Sequence, residues 1–211
     1  MRIILRSLIL LFPLPCLLLS QQWEVGADGG YGAFRNVPVT AGPVSGSAGF
    51  ASGYAFGGLL GNEFNRLLAG EIRYTYRADD LRVSSGTTEA RAAAQSHALH
   101  YDVLIHATSL ESKIRPFLAA GAGVKFYRGT GAEPAFQPLS NLAVLSHTTE
   151  AQPLISVGGG VKFQVTRRTL VRADFRDYVT PTPTNLLATP GGKIGGWTHD
   201  FVFLFGVSRV F

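Results

Sequence analysis

The sequence predicts an all-β protein, an eight-stranded antiparallel transmembrane up-and-down β-barrel. Three observations predict it. Segments of roughly ten residues with alternating faces recur from Trp23 to the C-terminus, and the connections between them are alternately short and long. In each segment one face is almost uncharged and the other is polar or small. Because successive side chains of a strand point to opposite faces, each segment separates two environments.

The composition agrees with a β protein that has an apolar surface. The 211 residues include 25 glycines, only 16% are charged, and the mean hydropathy is +0.17. This length suits one domain. The 19 Lys and Arg exceed the 14 Asp and Glu by only five, and Arg2 and Arg6 belong to the N-terminal segment discussed next. An excess this small gives no reason to expect a nucleic-acid partner.

The first twenty residues are predicted to form a cleaved signal peptide, which leaves residues 21–211 as the barrel domain. Arg2 and Arg6 precede an apolar run that Pro13 and Pro15 interrupt. An N-terminal membrane anchor is the alternative, but the run is too short and too rich in proline for a spanning helix. Cys16 would leave with the signal, so the mature chain would have neither a disulfide nor a thiol nucleophile.

Eight strands are predicted in order. The fourth is ambiguous, because residues 89–94 also suit a helix. The predicted strands cover residues 23–33, 46–58, 67–77, 91–106, 115–128, 155–163, 169–178 and 197–211. The predicted turns at 62–65, 109–114 and 166–168 are short, whereas the loops at 36–45, 78–90, 129–151 and 179–196 are long. With both termini and the short turns at one end of a barrel, all the long loops lie at the other, as in transmembrane barrels.

The polar strand faces are predicted to line the lumen and to form an ion-pair network. Acidic and basic residues on these faces are nearly balanced, which suits an enclosed network better than a solvated face. A charge that faces lipid costs about 2–4 kcal/mol, which explains why the opposite faces carry almost none. Small inward residues leave room for packed side chains, so a filled lumen is expected rather than a wide pore. The predicted network comprises Glu24, Asp28, Glu71, Arg73, Asp102, Lys125, Lys162, Arg172, Asp174, Arg176 and Asp200.

Aromatic residues are predicted to form two belts at the membrane interfaces. A soluble core is the alternative interpretation of the same residues. The predicted belt at the loop end contains Tyr31, Tyr54, Tyr74, Tyr76, Phe126, Tyr127, Tyr178 and Trp197, and that at the turn end contains Trp23, Phe64, Phe163 and Phe211.

The last strand places phenylalanines at alternate positions and ends on Phe211. With the signal, the strands and the loop asymmetry, this pattern resembles the OmpA-type eight-stranded outer-membrane barrel family of Gram-negative bacteria. The resemblance implies insertion by the barrel-assembly machinery, with Phe203, Phe205, Val207 and Phe211 as the C-terminal assembly signal. Arg209 departs from this pattern, because an apolar residue is usual at its position.

No catalytic, cofactor-binding or metal-binding residue is predicted. The serines near histidines lie in no nucleophile motif such as G-x-S-x-G. His100, Asp102 and His106 share a strand face, and paired lumen residues explain them better than an extended metal site. His199, near Trp197, is expected to be an interfacial polar residue rather than a base.

The predicted function is that of a non-enzymatic, monomeric integral outer-membrane barrel, with a structural or surface-interaction role or a very narrow pore. Its expected partners are outer-membrane lipid and, during biogenesis, the barrel-assembly machinery; the sequence identifies no extracellular partner. Two alternatives stay open: an outer-membrane enzyme that modifies lipid A, and a soluble secreted lipocalin-like binding barrel.

Overall fold

The computed structural model describes residues 22–130, 137, 139–189 and 193–211. The predicted signal peptide and Cys16 lie outside these residues. The described part contains no helix long and apolar enough to cross a membrane. Its strands are β1 (Trp23–Arg35), β2 (Val37–Ala41), β3 (Val44–Phe50), β4 (Gly53–Glu63), β5 (Leu68–Ala78), β6 (Leu81–Ser85), β7 (Thr88–Ala92), β8 (Ala94–His106), β9 (Ile114–Gly129), β10 (Val144–Leu145), β11 (Thr149–Gln164), β12 (Thr169–Pro181), β13 (Leu187–Ala188), β14 (Lys193–Ile194) and β15 (Trp197–Val210).

Eight of the described strands form a closed antiparallel barrel, so the predicted fold class is confirmed. The order around the barrel is β1-β15-β12-β11-β9-β8-β5-β4. The first and last strands close it, with Gly26 opposite Ser208 and Tyr31 opposite Phe203. Closure pairs every barrel strand on both sides and removes the exposed edge of an open sheet.

The two faces of each barrel strand lie in different environments. On β15, Phe203 and Phe205 are 56% and 68% exposed, whereas Val202 and Leu204, which alternate with them, are fully buried. The same alternation continues around the barrel and gives it an apolar exterior. This exterior includes Val25, Tyr54, Phe56, Leu60, Ile72, Tyr74, Leu99, Tyr101, Val103, Ile105, Leu118, Phe126, Ile155, Val157, Val171 and Phe175.

The predicted strand at 46–58 is wrong as a single strand, because it consists of β3 and the first half of β4. The chain leaves one sheet and enters another at Ala51, whose N–H donates to Asp80 O at 2.8 Å. The predicted strand at 91–106 is likewise divided between β7 and β8. In the sequence, side chains of two kinds continue to alternate across both breaks. The local sequence pattern therefore contains no sign of the change of sheet.

The described parts of the long loops contain additional strands and fold into a cap over one end of the barrel. We define the cap as β2, β3, β6, β7, β10, β13 and β14 with the described residues that connect them. Five of these strands form a sheet in the order β14-β2-β3-β6-β7, and β10 pairs with β13. The hairpin turns at Gly42 and Gly86 have φ values of 58° and 56°, a conformation that favours glycine.

A hydrophobic core joins the cap to the barrel mouth. Phe50 from the cap stacks on Tyr127 from the barrel, with ring centroids 5.0 Å apart, and also packs on Phe34 at 4.8 Å. These contacts lie in a cluster with Val39, Ala48, Leu81, Val83, Ala90, Ala92, Ala94, Leu139, Leu142, Ala143, Leu145, Leu186 and Leu187. Burying this much apolar surface fixes the cap on the barrel.

The aromatic belts differ from the prediction at two positions. Tyr127 and Tyr178 are fully buried inside the barrel, where their rings pack among lumen residues. Tyr31, Tyr54, Tyr74, Phe126 and Trp197 are exposed near the cap, and Trp23, Phe64, Phe163 and Phe211 are exposed at the turn end. Side chains alternate between the two faces of a strand, and Tyr127 and Tyr178 lie on the same inward faces as Lys125 and Arg176. Their positions in the alternation therefore explain both exceptions.

Candidate functional site

The barrel lumen concentrates the charged side chains of the described chain. All eleven residues of the predicted network lie on inward faces, and none is more than 8% exposed. Such burial is costly for a charge unless it is paired and hydrogen-bonded. The partners of each charge therefore determine whether the lumen is stable.

Arg172 lies at the centre of the largest cluster. Its Nε and Nη2 donate to the two carboxylate oxygens of Asp174 at 3.0 and 3.1 Å. Its Nη1 donates to Glu24 and Glu71 at 2.9 and 2.8 Å. One planar guanidinium thus binds three carboxylates from three strands, a geometry that a lysine could not reproduce.

Arg73 and Arg176 extend this cluster across the lumen. Arg73 Nη1 donates to Asp28 Oδ2 at 2.7 Å, and its Nη2 lies 2.8 Å from Glu71 Oε1. Arg176 Nε donates to Asp102 Oδ2 at 3.2 Å. Since β1, β5, β8 and β12 supply these groups, the ion pairs cross-link opposite walls of the barrel.

The cluster continues towards the turn end through two residues that the sequence analysis did not select. Glu63 accepts two hydrogen bonds from Arg115, at 2.8 and 3.2 Å. Lys162 donates to Glu24 at 2.5 Å and lies 3.7 Å from Glu63. A small cavity of about 50 Å³ lies beside these groups at the turn end.

A second ion-pair cluster lies beneath the cap. Asp200 accepts hydrogen bonds from Lys125 and Arg77, each at 2.5 Å. Arg77 Nη2 also lies 2.7 Å from Asp79, which accepts a further hydrogen bond from Ser96 at 2.9 Å. Lys125 and Asp200 were predicted; Arg77 and Asp79, at the end of β5, were not.

A less polar layer separates the two clusters. It contains Tyr178, Leu154, Val202, Leu204, Ala55 and Ala98. The Tyr178 hydroxyl is 3.1 Å from Thr75 Oγ1 and 3.2 Å from His100 Nε2, while His100 Nδ1 lies 2.9 Å from Asp102. This hydrogen-bond chain joins the layer to the central cluster.

His106 does not complete a metal site with His100 and Asp102. Its ring packs against Phe117, with centroids 5.7 Å apart, nearer the turn end. Among the described residues no group of three His, Cys, Asp or Glu side chains has an arrangement that could hold a metal ion.

Both ends of the lumen are filled. Beneath the cap, Arg77 and Lys125 each lie 4.8 Å from the centre of the Phe34 ring, which Phe50 covers from above. Near the turn end, Lys162, Arg172 and Arg176 lie within 6 Å of the Phe117 ring. Cation–π contacts thus supplement the ion pairs at both levels.

Small residues are required where the lumen side chains approach the wall. A Cβ atom at Gly32 would overlap the Arg77 guanidinium, and one at Gly121 would overlap the Asp102 carboxylate. Glycine in a strand often marks such a close approach.

Arg209, the exception in the predicted assembly signal, lies at the turn end of its strand. It is exposed, and its guanidinium carbon lies 5.7 Å from the centre of the Phe211 ring. It pairs with Val25 and Thr169 near the turn end.

Comparison with solved structures identifies the fold. Neisserial surface protein A superimposes with a TM-score of 0.56 and 14% identity, covering 90% of this chain and 97% of that chain. A major outer membrane protein from Thermus thermophilus superimposes with a TM-score of 0.57 and 10% identity, covering 90% and 99%. The chain has the fold of outer-membrane β-barrels. No family model matches the sequence, and no curated protein matches it.

Replacing Arg172 with Met should destabilise the barrel strongly. The change leaves Glu24, Glu71 and Asp174 buried without their shared cation, and breaking a buried ion pair in this way costs about 3–5 kcal/mol. Urea unfolding in lipid vesicles measures the effect. Arg128→Met, at an exposed position, is the control and should leave the midpoint almost unchanged; equal midpoints for both variants would contradict a stabilising role for the network.

The region beneath the cap should make stability depend on pH. Burial raises the pKa of the Asp79 carboxyl from 3.8 to about 6, and Asp200 adds to the rise while Arg77 opposes it. The Asp79 carboxyl is then protonated in the folded protein and ionised in the unfolded chain between about pH 4 and 6. The contribution of Asp79 to stability, measured as the difference between the wild type and Asp79→Asn, should therefore fall by about 2–3 kcal/mol as the pH rises through that window, and should level off above it.

Thermal unfolding in detergent between pH 4 and 7.5 tests this dependence. Asp79→Asn should remove most of it, whereas Asp80→Asn, at the exposed neighbouring position, should retain it. A wild-type curve parallel to that of Asp79→Asn would contradict the assignment.

Proposed function

We propose that this chain is an integral outer-membrane protein of the OmpA type, with a structural or surface-interaction role and no enzymatic activity. The observation that carries the proposal is the distribution of side chains across the barrel wall. Aromatic and aliphatic residues cover the outside, and paired charges fill the inside. In lipid, a closed barrel satisfies every backbone group while it presents only apolar side chains to the hydrocarbon.

A soluble binding barrel would have the opposite distribution. It would bury its apolar face around a ligand and expose its charges to water. Here Leu118 is 71% exposed, whereas Arg73 and Arg176 are fully buried. Exposing so continuous an apolar belt to water would promote aggregation, which favours the membrane protein over the secreted lipocalin-like alternative.

The filled lumen supports the proposal that the protein is not a wide pore for solutes. Passage through the barrel would require separation of the Lys125–Asp200 and Arg172–Glu71 pairs and movement of Phe34 and Phe50 beneath the cap. We place the cap outside the cell, because short turns are periplasmic in barrels of this kind. The cap then provides the surface through which the protein contacts external partners.

Biogenesis in this proposal begins with the signal peptide at residues 1–20 and ends with insertion by the barrel-assembly machinery. The folded protein is a monomer in the outer-membrane lipid. Phe203, Phe205, Val207 and Phe211 form an exposed row that this machinery could contact before the barrel closes, since all are more than half exposed.

Cell fractionation and channel recording test the membrane proposal together. The protein should be found in the outer membrane and should migrate differently on a gel before and after boiling, because a folded barrel resists detergent. Planar bilayers with the purified protein should show no large, stable conductance. A soluble protein without a mobility shift would overturn the membrane location, and a large conductance would overturn the filled lumen.

Replacing Phe211 with Ser tests the assembly signal. We expect less protein in the outer membrane and more in the periplasm, because the terminal aromatic group is missing. Phe163→Ser is a suitable control, since Phe163 is also an exposed aromatic residue at the turn end but belongs to β11. Normal insertion of Phe211→Ser would show that this residue is not part of the signal.

A further inference from the structure

A cavity of about 280 Å³ opens on the outer face of the barrel, where β1 and β15 meet the cap. Its walls include Arg35, Trp197, His199 and the adjacent Gly195 and Gly196. These side chains take part neither in the ion-pair network nor in the aromatic contacts of Phe50 with Phe34 and Tyr127. The volume is close to the lower end of small-molecule sites, which measure roughly 300–1,000 Å³.

Backbone pairing holds the cavity open between the barrel and the cap. Arg35 and His199 are opposite each other in the pairing of β1 with β15. On the cap side, Ile194 pairs with Val39. The chain turns from one sheet into the other at Gly196, whose φ of 105° favours glycine. The walls therefore belong to paired strands on both sides and to one tight turn.

The polar groups at the cavity suit an anionic, hydroxylated ligand. Arg35 is exposed and can donate several hydrogen bonds to a phosphate. Asp177 Oδ2 lies 2.8 Å from His199 Nδ1 and so fixes the imidazole ring, whose Nε2 has no hydrogen-bond partner among the described residues.

Trp197 adds a flat apolar surface beside these polar groups. It is 54% exposed. The C–H face of a sugar ring packs well on such a surface, while its hydroxyl groups bond to the polar residues nearby. An aromatic ring beside the Arg35 cation therefore favours a phosphorylated sugar over phosphate alone.

An aromatic track leads from the cavity down the outside of the barrel. The His199 ring stacks on Phe201 at 5.9 Å between centroids, and Phe175 lies 6.2 Å from Phe201 and 4.8 Å from Phe203. Phe203 belongs to the apolar exterior. A ligand with its headgroup in the cavity could lay an acyl chain along this track.

We propose that this cavity binds the phosphorylated sugar headgroup of an outer-leaflet glycolipid, whose acyl chain lies on the aromatic track. The inference rests on the proposed function, since it requires the cap end of the barrel to lie at the outer leaflet. A free phosphosugar has the same headgroup chemistry but no acyl chain that could contact the aromatic track. The track therefore favours the lipid.

Native mass spectrometry of the purified full-length protein with lipid A tests this site. We expect a stoichiometric complex with the wild type. Arg35→Gln should weaken it about ten-fold through the loss of a charge-assisted hydrogen bond, and Trp197→Leu should weaken it to a similar extent. If either variant fails to fold, as judged by the mobility shift on boiling, His199→Gln takes its place.

Two matched controls lie elsewhere on the exterior. Arg128→Gln removes an exposed arginine at the same end of the barrel, on β9, four strands away from β1. Trp23→Leu removes the exposed tryptophan at the turn end. Both should bind lipid A as the wild type does.

The other outcomes overturn the inference. Equal weakening by Arg128→Gln would show general attraction to positive charge, and equally tight binding of soluble glucosamine 1-phosphate would assign the cavity to a free phosphosugar. A changed mass of the lipid A would indicate an enzyme rather than a binding site. Absence of binding by wild-type protein that fractionates with the outer membrane would refute the site and leave the proposed function intact.

Discussion

The pairing of buried charges in the lumen is the interaction on which the rest of the structure depends. The barrel presents an apolar exterior, and the charged residues of its strands are concentrated in the lumen. Burying these charges costs desolvation free energy, which ion pairing offsets. Arg172 is the clearest case, because its guanidinium contacts Glu24, Glu71 and Asp174 at once. Each carboxylate in turn contacts another cation or a polar side chain. The cluster is stable as a unit, since removal of one member leaves several others unpaired.

Glycine makes that cluster geometrically possible. Eight strands enclose little interior space. The long side chain of Arg77 fits because Gly32 beneath its guanidinium has no side chain. The high glycine content therefore has a different role in the barrel from its role in the cap, where Gly42 and Gly86 form tight turns.

The cap gives the molecule a second hydrophobic core at the mouth of a barrel with a largely polar interior. Phe50 and Tyr127 connect the two regions, because one ring lies on the cap and the other on the extended end of β9. This packing closes the lumen and also holds β14 near β1 and β15, where the outer cavity lies. The closed lumen and the surface cavity thus both result from the packing of the cap on the barrel mouth.

Alternation along each strand was sufficient to predict the closed barrel, its apolar exterior and the inward position of all eleven network residues. The same alternation could also have predicted two further lumen residues. Phe117 and Arg115 lie two and four positions before Ala119, which is on the inward face of β9. The charges at strand ends, Glu63, Arg77 and Asp79, were less accessible, because a strand's end is poorly defined in sequence. Their roles depend on partners from other strands.

The sequence by itself determined which side of the barrel wall each strand residue occupies, because a period of two is a local property of the chain. Only the tertiary structure decided which charges meet, such as Lys162 with Glu24, 138 positions apart. It also decided that the long loops form a cap rather than irregular connections, since the cap sheet joins strands from three separate loops. Such pairings depend on distances between remote segments, which no local pattern records.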